Sequence, residues 1–418
     1  MTKKSFILTA ALMLMLMAST HVSAQVSYAF YKNGTLTFYY DNNQDNRTGG
    51  TVYAIPEGGF PWGTKPGWYT DHGGDITKVV FASTFSETKP KSMAYWFSGL
   101  KNLEEITDMK YLNTSEVESM SWMFNGCSGL TSLDVSGFDT GNVTSMDGMF
   151  YGCSGLTSLD VSGFDTQNVT YMGGMFYNCR RLTSLDVSGF DTQNVTEISG
   201  MFQSCSGLTS LDVSGFDTQN VTGMSVMFNG CSGLTSLDVS GFDTGNVTDM
   251  YGMFCDCSGL TSLDVSGFDT QNVTLMYSMF YGCSGLTSLD VSGFDTGNVT
   301  NMTYMFYDCN RLTTIYCGSN WKTDNVQTSG QMFSKCSHLV GAQGTAYDEN
   351  HTDAEYARVD GGPSAPGYFT YKHQIPTKVE NVTTQSEQKI VTYDLQGRRV
   401  QGAARKGIYV MNGKKVVR

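Results

Sequence analysis

The chain has 418 residues, of which 40% are hydrophobic and only 16% are charged, so it can bury a large core and is not disordered as a whole. Its formal net charge is −13, which makes nucleic acid or an anionic membrane a poor partner. The charge is uneven: residues 130–311 hold 18 Asp and one Glu against three Arg, whereas residues 389–418 hold eight Lys or Arg and one Asp. This asymmetry predicts a large acidic body and a small basic tail.

The N-terminus has the layout of an export signal. Two Lys near the start precede a short apolar run at 6–17, and small residues stand immediately before Gln25. The run is shorter than the ~18 apolar residues that a membrane span needs, and no later stretch is longer. The sequence therefore predicts a signal peptide at 1–24, no transmembrane span, and a mature protein that is exported to the medium or the cell surface.

Most of the chain is one 26-residue unit written repeatedly. The copy at 130–155 has the sequence LTSLDVSGFDTGNVTSMDGMFYGCSG, and six near-identical copies follow, starting at Leu156, Leu182, Leu208, Leu234, Leu260 and Leu286. Weaker copies on both sides extend the pattern to about ten coils over residues 76–338. One such unit cannot bury its apolar side chains alone, but stacked units form a continuous core.

The periodicity changes within each unit. Leu133 and Val135 alternate with polar residues, which is typical of a half-buried strand, and the Asp-Thr-Gly-Asn run at 139–142 favours a turn. The next apolar residues are spaced i, i+3, i+4 and i+7, which predicts a short helix; in this unit they are Met146, Met149, Phe150 and Cys153. The predicted fold class is an α/β repeat solenoid in which each coil contains a short parallel strand, a turn and a short helix.

The unit, written LTSLDVSGFDT-x-NVT-x-M-x-x-MF-x-x-C, resembles the 26-residue repeat of bacterial surface proteins, which is related to the leucine-rich repeats of BspA-like proteins. This resemblance implies a leucine-rich-repeat-like secreted or surface solenoid, which in some members is an adhesin for host matrix or other bacteria. The tail at 393–418 is similar to C-terminal modules on secreted Bacteroidetes proteins. That similarity implies recognition by secretion machinery and attachment to the cell surface.

These patterns predict six parts of the chain. They are the signal peptide at 1–24, an N-terminal β-rich cap at 25–75, the repeat solenoid at 76–338, a C-terminal cap at 339–372, a linker at 373–388 and a basic β-hairpin tail at 389–418. The hairpin is expected because Asn412 and Gly413 stand between two apolar, β-prone runs.

Two ladders of repeated polar residues could be structural or functional. One Cys recurs in every unit on the predicted helical stripe, and we expect buried thiols rather than disulfides because equivalent Cβ atoms in a stack point in parallel. Cys255 departs from this register and is a candidate for exposure. Asp134, Asp139 and their repeats could bind calcium, but the units lack the glycine-rich pattern of calcium-binding coils, so we predict no metal site and no cofactor.

Catalysis is not expected. The near-identical units contain no His, no G-x-S-x-G motif occurs, and a repeat spreads identical groups evenly where an active site needs a converging set.

Recognition is the function that the pattern favours. Variation between units collects after the Met-Phe pair, where Tyr is frequent, and Tyr is favoured in binding surfaces. The candidate ligand contacts are Tyr151, Tyr177, Tyr281 and Tyr307, which follow the Met-Phe pair, and Tyr251 and Tyr277, which lie nearby on the same predicted helical segment, although these rings could instead only cover the surface. The predicted function is non-catalytic recognition of extracellular proteins or glycans, as in adhesion to host matrix or other bacteria. The alternative is a structural spacer or envelope component without a specific ligand.

Overall fold

The computed structural model describes residues 24–56, 58–61 and 63–372, together with the backbone of three strands further along the chain. The chain divides into two compact bodies, Met1–Tyr371 and Lys372–Arg418. The predicted linker, and all but the last residue of the predicted signal peptide, lie outside the described residues.

A five-stranded sheet begins the first body. In chain order its strands are β1 (Val26–Lys32), β2 (Thr35–Asp41), β3 (Thr51–Ala54), β4 (Lys78–Phe81) and β5 (Glu105–Thr107). Their spatial order is β3-β1-β2-β4-β5, with antiparallel pairs around β1 and parallel pairs from β2 to β5. Asn33 and Gly34 join β1 to β2 with φ angles of 50° and 81°, the positive values that a two-residue Asn-Gly hairpin turn requires.

Helices are short throughout the described residues. The α-helix α1 (Gly67–His72) buries Trp68, whose indole N–H donates to the main-chain oxygen of Trp96 at 2.9 Å. Phe38 of β2 stacks on Trp96 with ring centroids 5.4 Å apart. This aromatic cluster covers the open end of the repeat core, which would otherwise expose apolar side chains. Single turns of 3-10 helix lie at Gln44–Asn46, Ser83–Glu87, Met109–Tyr111, Ala354–Tyr356 and Gly362–Ser364.

Parallel bridges join each repeat unit to the next. Ten residues spaced 26 or 27 apart form nine consecutive bridges: Ser92, Ser119, Ser145, Tyr171, Glu197, Gly223, Asp249, Leu275, Asn301 and Thr328. Main-chain hydrogen bonds continue beyond each bridge. Gly148 N–H, for example, donates to the Gly173 oxygen at 2.8 Å, and Phe150 N–H donates to the Met175 oxygen at 2.9 Å. The units therefore stack through a continuous hydrogen-bonded ladder.

The helix predicted at 146–153 and its equivalents is wrong. The segment is a series of tight turns, in which Met149 N–H donates to the Met146 oxygen and Cys153 N–H donates to the Phe150 oxygen, each three residues back. Gly148 and Gly152 have φ angles of 58° and 70°, in the left-handed region that ends an α-helix. Every second N–H is also taken by the next unit instead of by the carbonyl four residues back. Turns of this length produce the same apolar spacing as a helix.

The predicted strand at 133–135 and its equivalents form paired strands only toward the two ends of the array, as β4 and β5 at the N-terminal end. At the C-terminal end β6 (Ser288–Val291), β7 (Thr314–Cys317) and β8 (Phe369–Tyr371) make a parallel sheet in the order β6-β7-β8. In the near-identical units before it the same sequence forms no strand, and no main-chain hydrogen bond joins 132–135 to 158–161, nor the next equivalent segments to each other up to 236–239. The segments are therefore neighbours without being a sheet.

The core follows the predicted apolar register. A column of Phe rings runs from Phe97 to Phe333, with consecutive centroids 5.4–5.9 Å apart. Phe150 is fully buried and Val135 is 2% exposed, as predicted. Leu133 is only half-buried, whereas its equivalent in the next unit, Leu159, is 7% exposed. Stacking thus buries side chains that no single unit could cover.

The second body contains a small antiparallel sheet in the order β11-β10-β9, formed by β9 (Thr392–Tyr393), β10 (Ile408–Met411) and β11 (Lys414–Val417). Met411 pairs with Lys414, which is the register expected on either side of a two-residue turn. Asn412 and Gly413, for which the sequence predicts the turn, lie outside the described residues.

Candidate functional site

An open groove of about 610 Å³ crosses four consecutive repeat units. Each unit contributes the same three residues, a Ser, a Leu and an Asp: Ser132, Leu133, Asp134, Ser158, Leu159, Asp160, Ser184, Leu185, Asp186, Ser210, Leu211 and Asp212. These are the segments whose main chains do not hydrogen-bond to one another. The groove therefore lies over segments that are not paired into a sheet.

The groove combines an apolar floor with polar walls. Leu159 and Leu185 are 7% and 6% exposed and belong to the core, whereas the Ser and Asp side chains beside them are exposed. The Asp134 carboxylate accepts hydrogen bonds from the hydroxyl and the N–H of Ser136, at 2.7 and 3.0 Å. These two hydrogen bonds lower the pKa of Asp134, and the same arrangement recurs in the following units. The groove carboxylates are therefore ionised at neutral pH.

The groove charges are not neutralised by the described part of the chain. Every ion pair among the described residues lies between residues 41 and 116, near the N-terminal end. Beyond that point the carboxylates of Asp134, Asp160, Asp186 and Asp212 have only their own Ser neighbours as hydrogen-bond donors within the described ranges. A row of like charges over a low-dielectric floor concentrates negative potential in the groove.

The six candidate tyrosines lie elsewhere in the repeat and form three stacked pairs. Their ring centroids are 4.1 Å apart in the first pair, 4.0 Å in the second and 4.8 Å in the third, and every ring is half-buried: Tyr151 with Tyr177, Tyr251 with Tyr277, and Tyr281 with Tyr307. At the position after the Met-Phe pair, Gln203, Asn229 and Cys255 stand where the other near-identical units have Tyr. Stacking covers one face of each ring with its partner, which removes that face from any ligand. Ligand contact by these residues stays a prediction.

The thiols form a buried ladder, as predicted. All eleven Cys are free, and the repeated ones donate to a main-chain oxygen of the previous unit, as Cys153 does to Phe124 at 3.1 Å. Burial raises the pKa of the Cys153 thiol well above its usual value, so it stays neutral and inert. Cys255 is half-buried rather than exposed, and burial followed by the charge of Asp256 raises its pKa to about 12.

Two further ladders were not anticipated from the sequence. The buried hydroxyl of Thr140 donates to the Asp165 oxygen at 2.9 Å and accepts from the Asp165 N–H at 2.8 Å, in the next unit. The amide of Asn142 donates to the Ser115 oxygen in the previous unit at 2.8 Å. The signal was the unbroken identity of Asp-Thr-x-Asn-Val-Thr in all seven copies. As predicted, Asp139 serves the turn, accepting from the Gly141 N–H at 3.2 Å.

Within the described residues, no group of three or more His, Cys, Asp or Glu side chains is arranged to hold a metal ion. None of the helices in the described part of the chain has the length and apolar composition of a membrane span.

The stacked units define a repeat protein with an extended acidic surface. The family described as "Mycoplasma protein of unknown function, DUF285" matches residues 91–209, 183–263 and 234–347. Together these matches span more than half of the chain, which therefore belongs to this family of repeat proteins. The resemblance to bacterial 26-residue repeats is thereby confirmed at the level of the repeat family, while the Bacteroidetes source and the sorting role of the tail stay predictions.

One solved structure similar to this chain is described as the functional domain of InlJ from Listeria monocytogenes, which includes a cysteine ladder. The identity is 21%, the match covers 58% of this chain and 48% of that chain, and the TM-score is 0.22. The matched part thus spans about half the length of that chain. No curated protein matches this chain.

Proposed function

We propose that this chain is an exported repeat protein that recognises extracellular macromolecules without catalysis, and that the acidic groove is its main contact surface. The observation that carries the proposal is the groove itself, in which four ionised carboxylates face solvent with no cationic partner among the described residues. Such a surface attracts and orients a partner of opposite charge.

The groove chemistry favours a protein partner that carries Lys or Arg. Leu159 and its equivalents offer apolar contact along the floor, and the main-chain N–H and carbonyl groups at 132–135 have no partners in the neighbouring segment. A polypeptide can contact all three kinds of group. The charged ends of its Lys or Arg side chains can pair with the carboxylates, their methylene chains can pack on the Leu residues, and its main chain can hydrogen-bond to the segment at 132–135 and its equivalents. A sulfated or otherwise acidic glycan would instead be repelled. Adhesion to a matrix or bacterial surface protein is therefore the form of recognition that we propose.

The absence of catalysis is part of the proposal. Each unit presents the same Ser and Asp groups in the same geometry, whereas a catalytic site needs unlike groups converging on one reacting atom. The nucleophiles that recur, the Cys thiols, are buried and neutral, as Cys153 illustrates.

A matched pair of charge variants tests the groove. One variant changes Asp134, Asp160, Asp186 and Asp212 to Asn, and the control makes the same change in the turn ladder at Asp139, Asp165, Asp191 and Asp217. Both lose the same four charges, and Asn can still accept the local hydrogen bonds. Binding of the full exported chain to immobilised matrix proteins and to bacterial cells is measured at two salt concentrations. We expect at least about tenfold weaker binding for the groove variant, a near-normal control, and weaker binding at high salt.

The same assay decides between the groove and the tyrosine pairs. Tyr151, Tyr177, Tyr281 and Tyr307 are changed together to Ser, with the thermal midpoint measured alongside because these rings are half-buried. Lost binding in a folded tyrosine variant, with the groove variant unaffected, would move the contact surface to the tyrosines.

The hydrogen-bonded ladder between units supports a second candidate, a structural spacer. A stack tied together at every unit can hold length without binding anything. If the intact chain bound no matrix protein and no bacterial surface, this spacer role would replace recognition.

A further inference from the structure

Two of the tyrosine pairs have unusually close and parallel rings. The centroids of Tyr151 and Tyr177 lie 4.1 Å apart with 5° between the ring planes, and those of Tyr251 and Tyr277 lie 4.0 Å apart with 14°. The Phe rings of the core column, by comparison, are 5.4–5.9 Å apart. The rings of these two tyrosine pairs are therefore closer to each other than the stacked Phe rings of the core are.

The backbone holds each pair in register. Gly152 N–H donates to the Tyr177 oxygen at 2.7 Å, and Gly252 N–H donates to the Tyr277 oxygen at 3.1 Å, so both partners are tied to the same inter-unit ladder. Burial, and then the facing hydroxyl of Tyr177, raise the pKa of Tyr151 to about 12. The two hydroxyls of this pair thus lie close to each other on nearly parallel rings.

We infer that these two pairs are sites of oxidative modification, at which a haem peroxidase with hydrogen peroxide joins Tyr151 to Tyr177 and Tyr251 to Tyr277 as dityrosine. The inference does not depend on the proposed binding function. It follows from the requirement that two phenoxyl radicals must meet before either is quenched, which a fixed stacked pair satisfies within one molecule.

The chemistry balances with that oxidant alone. The peroxidase removes one electron and one proton from each phenol, and the two phenoxyl radicals form one carbon–carbon bond between ortho positions. Each ring then loses its ortho hydrogen as a proton while its oxygen regains one, which restores two aromatic phenols. The pair loses two hydrogen atoms in total, and one hydrogen peroxide is reduced to two water molecules.

The third pair is less suited to this reaction. Tyr281 and Tyr307 are further apart, at 4.8 Å, and the ammonium group of Lys335 lies 4.9 Å from the centre of the Tyr307 ring. A cation over the ring attracts its π-electrons and so makes removal of an electron harder. Tyr304 also packs edge-on against both rings. We expect this pair to be linked more slowly than the other two.

The experiment treats the full exported chain with a haem peroxidase and hydrogen peroxide and isolates the monomer. Intact mass, the blue fluorescence of dityrosine and peptide mapping are then measured. The variant Tyr177→Phe keeps the ring stack but lacks one phenol, and Tyr277→Phe does the same for the other pair. Tyr171→Phe is the control, because Tyr171 is 52% exposed and has no ring contact among the described residues.

We expect a linked peptide pair for each site in the wild-type monomer, with a yield that does not change on dilution. Tyr177→Phe should remove the first link and leave the second as an internal standard, Tyr277→Phe should do the reverse, and Tyr171→Phe should remove neither. Oxidised monomer without these links, or dityrosine found only in dimers that disappear on dilution, would overturn the inference.

Discussion

Phe202 lies at the centre of the Phe column, and its replacement by Ala measures how much the column stabilises the array. The side chain is fully buried, and its ring centroid lies 5.8 Å from that of Phe176 and 5.9 Å from that of Phe228. Phe216 makes a third, tilted contact at 6.5 Å. Removing the ring therefore deletes two stacked contacts and leaves a cavity in the middle of the core.

The expected loss is about 3–5 kcal/mol in the free energy of unfolding, and we place it toward the upper end. The two stacked contacts account for about 1–3 kcal/mol of that loss beyond simple burial. The neighbours cannot easily collapse into the cavity, because Phe176 N–H and Phe202 N–H are held by carbonyls of the following units at 2.9 and 3.0 Å. A cavity that cannot relax costs more than one that can.

Denaturant unfolding measures the total loss, and hydrogen exchange followed by mass spectrometry locates it. Each repeat unit contacts mainly its neighbours, so exchange should accelerate first in the units on either side of Phe202 and much less near β1 or β8. Phe202→Leu is the control and should lose only about 1.5 kcal/mol, because it keeps most of the volume. A loss below about 1 kcal/mol for the Ala variant, or uniform acceleration across the whole body, would refute the stacked-core argument.

Three further results are expected. Thr166→Val should cost about 1–3 kcal/mol in chemical unfolding, because it leaves the main-chain N–H and oxygen of Asp191 without the hydroxyl that now lies 2.8 and 2.9 Å away; Thr183→Val, at an exposed position, should cost almost nothing. Burial alone would raise the pKa of Asp360, but hydrogen bonds from Thr345, Gly362 and Gln343 lower it from 3.8 to about 2. Its ionised form therefore contributes about 2 kcal/mol of stability above about pH 4 that is lost as the pH falls toward 2, and acid unfolding of Asp360→Asn should lack this step. Cys255 should react with a thiol reagent at neutral pH far more slowly than the amino acid cysteine in solution. Rapid labelling in the folded chain would show that its thiol is not protected.

The repeat register and the identity of the core were determined by the sequence alone. Phe150 and Cys153 recur every 26 residues and are fully buried, because apolar residues at a fixed period can be covered only by the next copy. The preference for a stack over separate globular parts needed no information beyond that period.

The conformation between those buried residues was decided by tertiary hydrogen bonds. The spacing of Met146, Met149, Phe150 and Cys153 suits a helix and a series of tight turns equally well. The next unit supplies carbonyl acceptors that take every second N–H, and this excludes the helical pattern. Val226 shows how strongly the neighbours dominate, because it is held at a φ angle of 49° that a β-branched residue rarely adopts.

The groove illustrates the same limit for the candidate site. Ser-Leu-Asp-Val is identical at 132–135 and at 288–291, yet the second copy is a paired strand and the first lines an open groove. Local sequence cannot distinguish them. The difference is in what lies beside each copy: β6 pairs with β7, which β8 of the C-terminal cap holds from its other side, whereas no main-chain hydrogen bond joins the segment at 132–135 to the next one at 158–161. The sequence determines which side chains face inward, and the pairing of neighbouring backbones, a property of the assembled stack, determines which copies become strands.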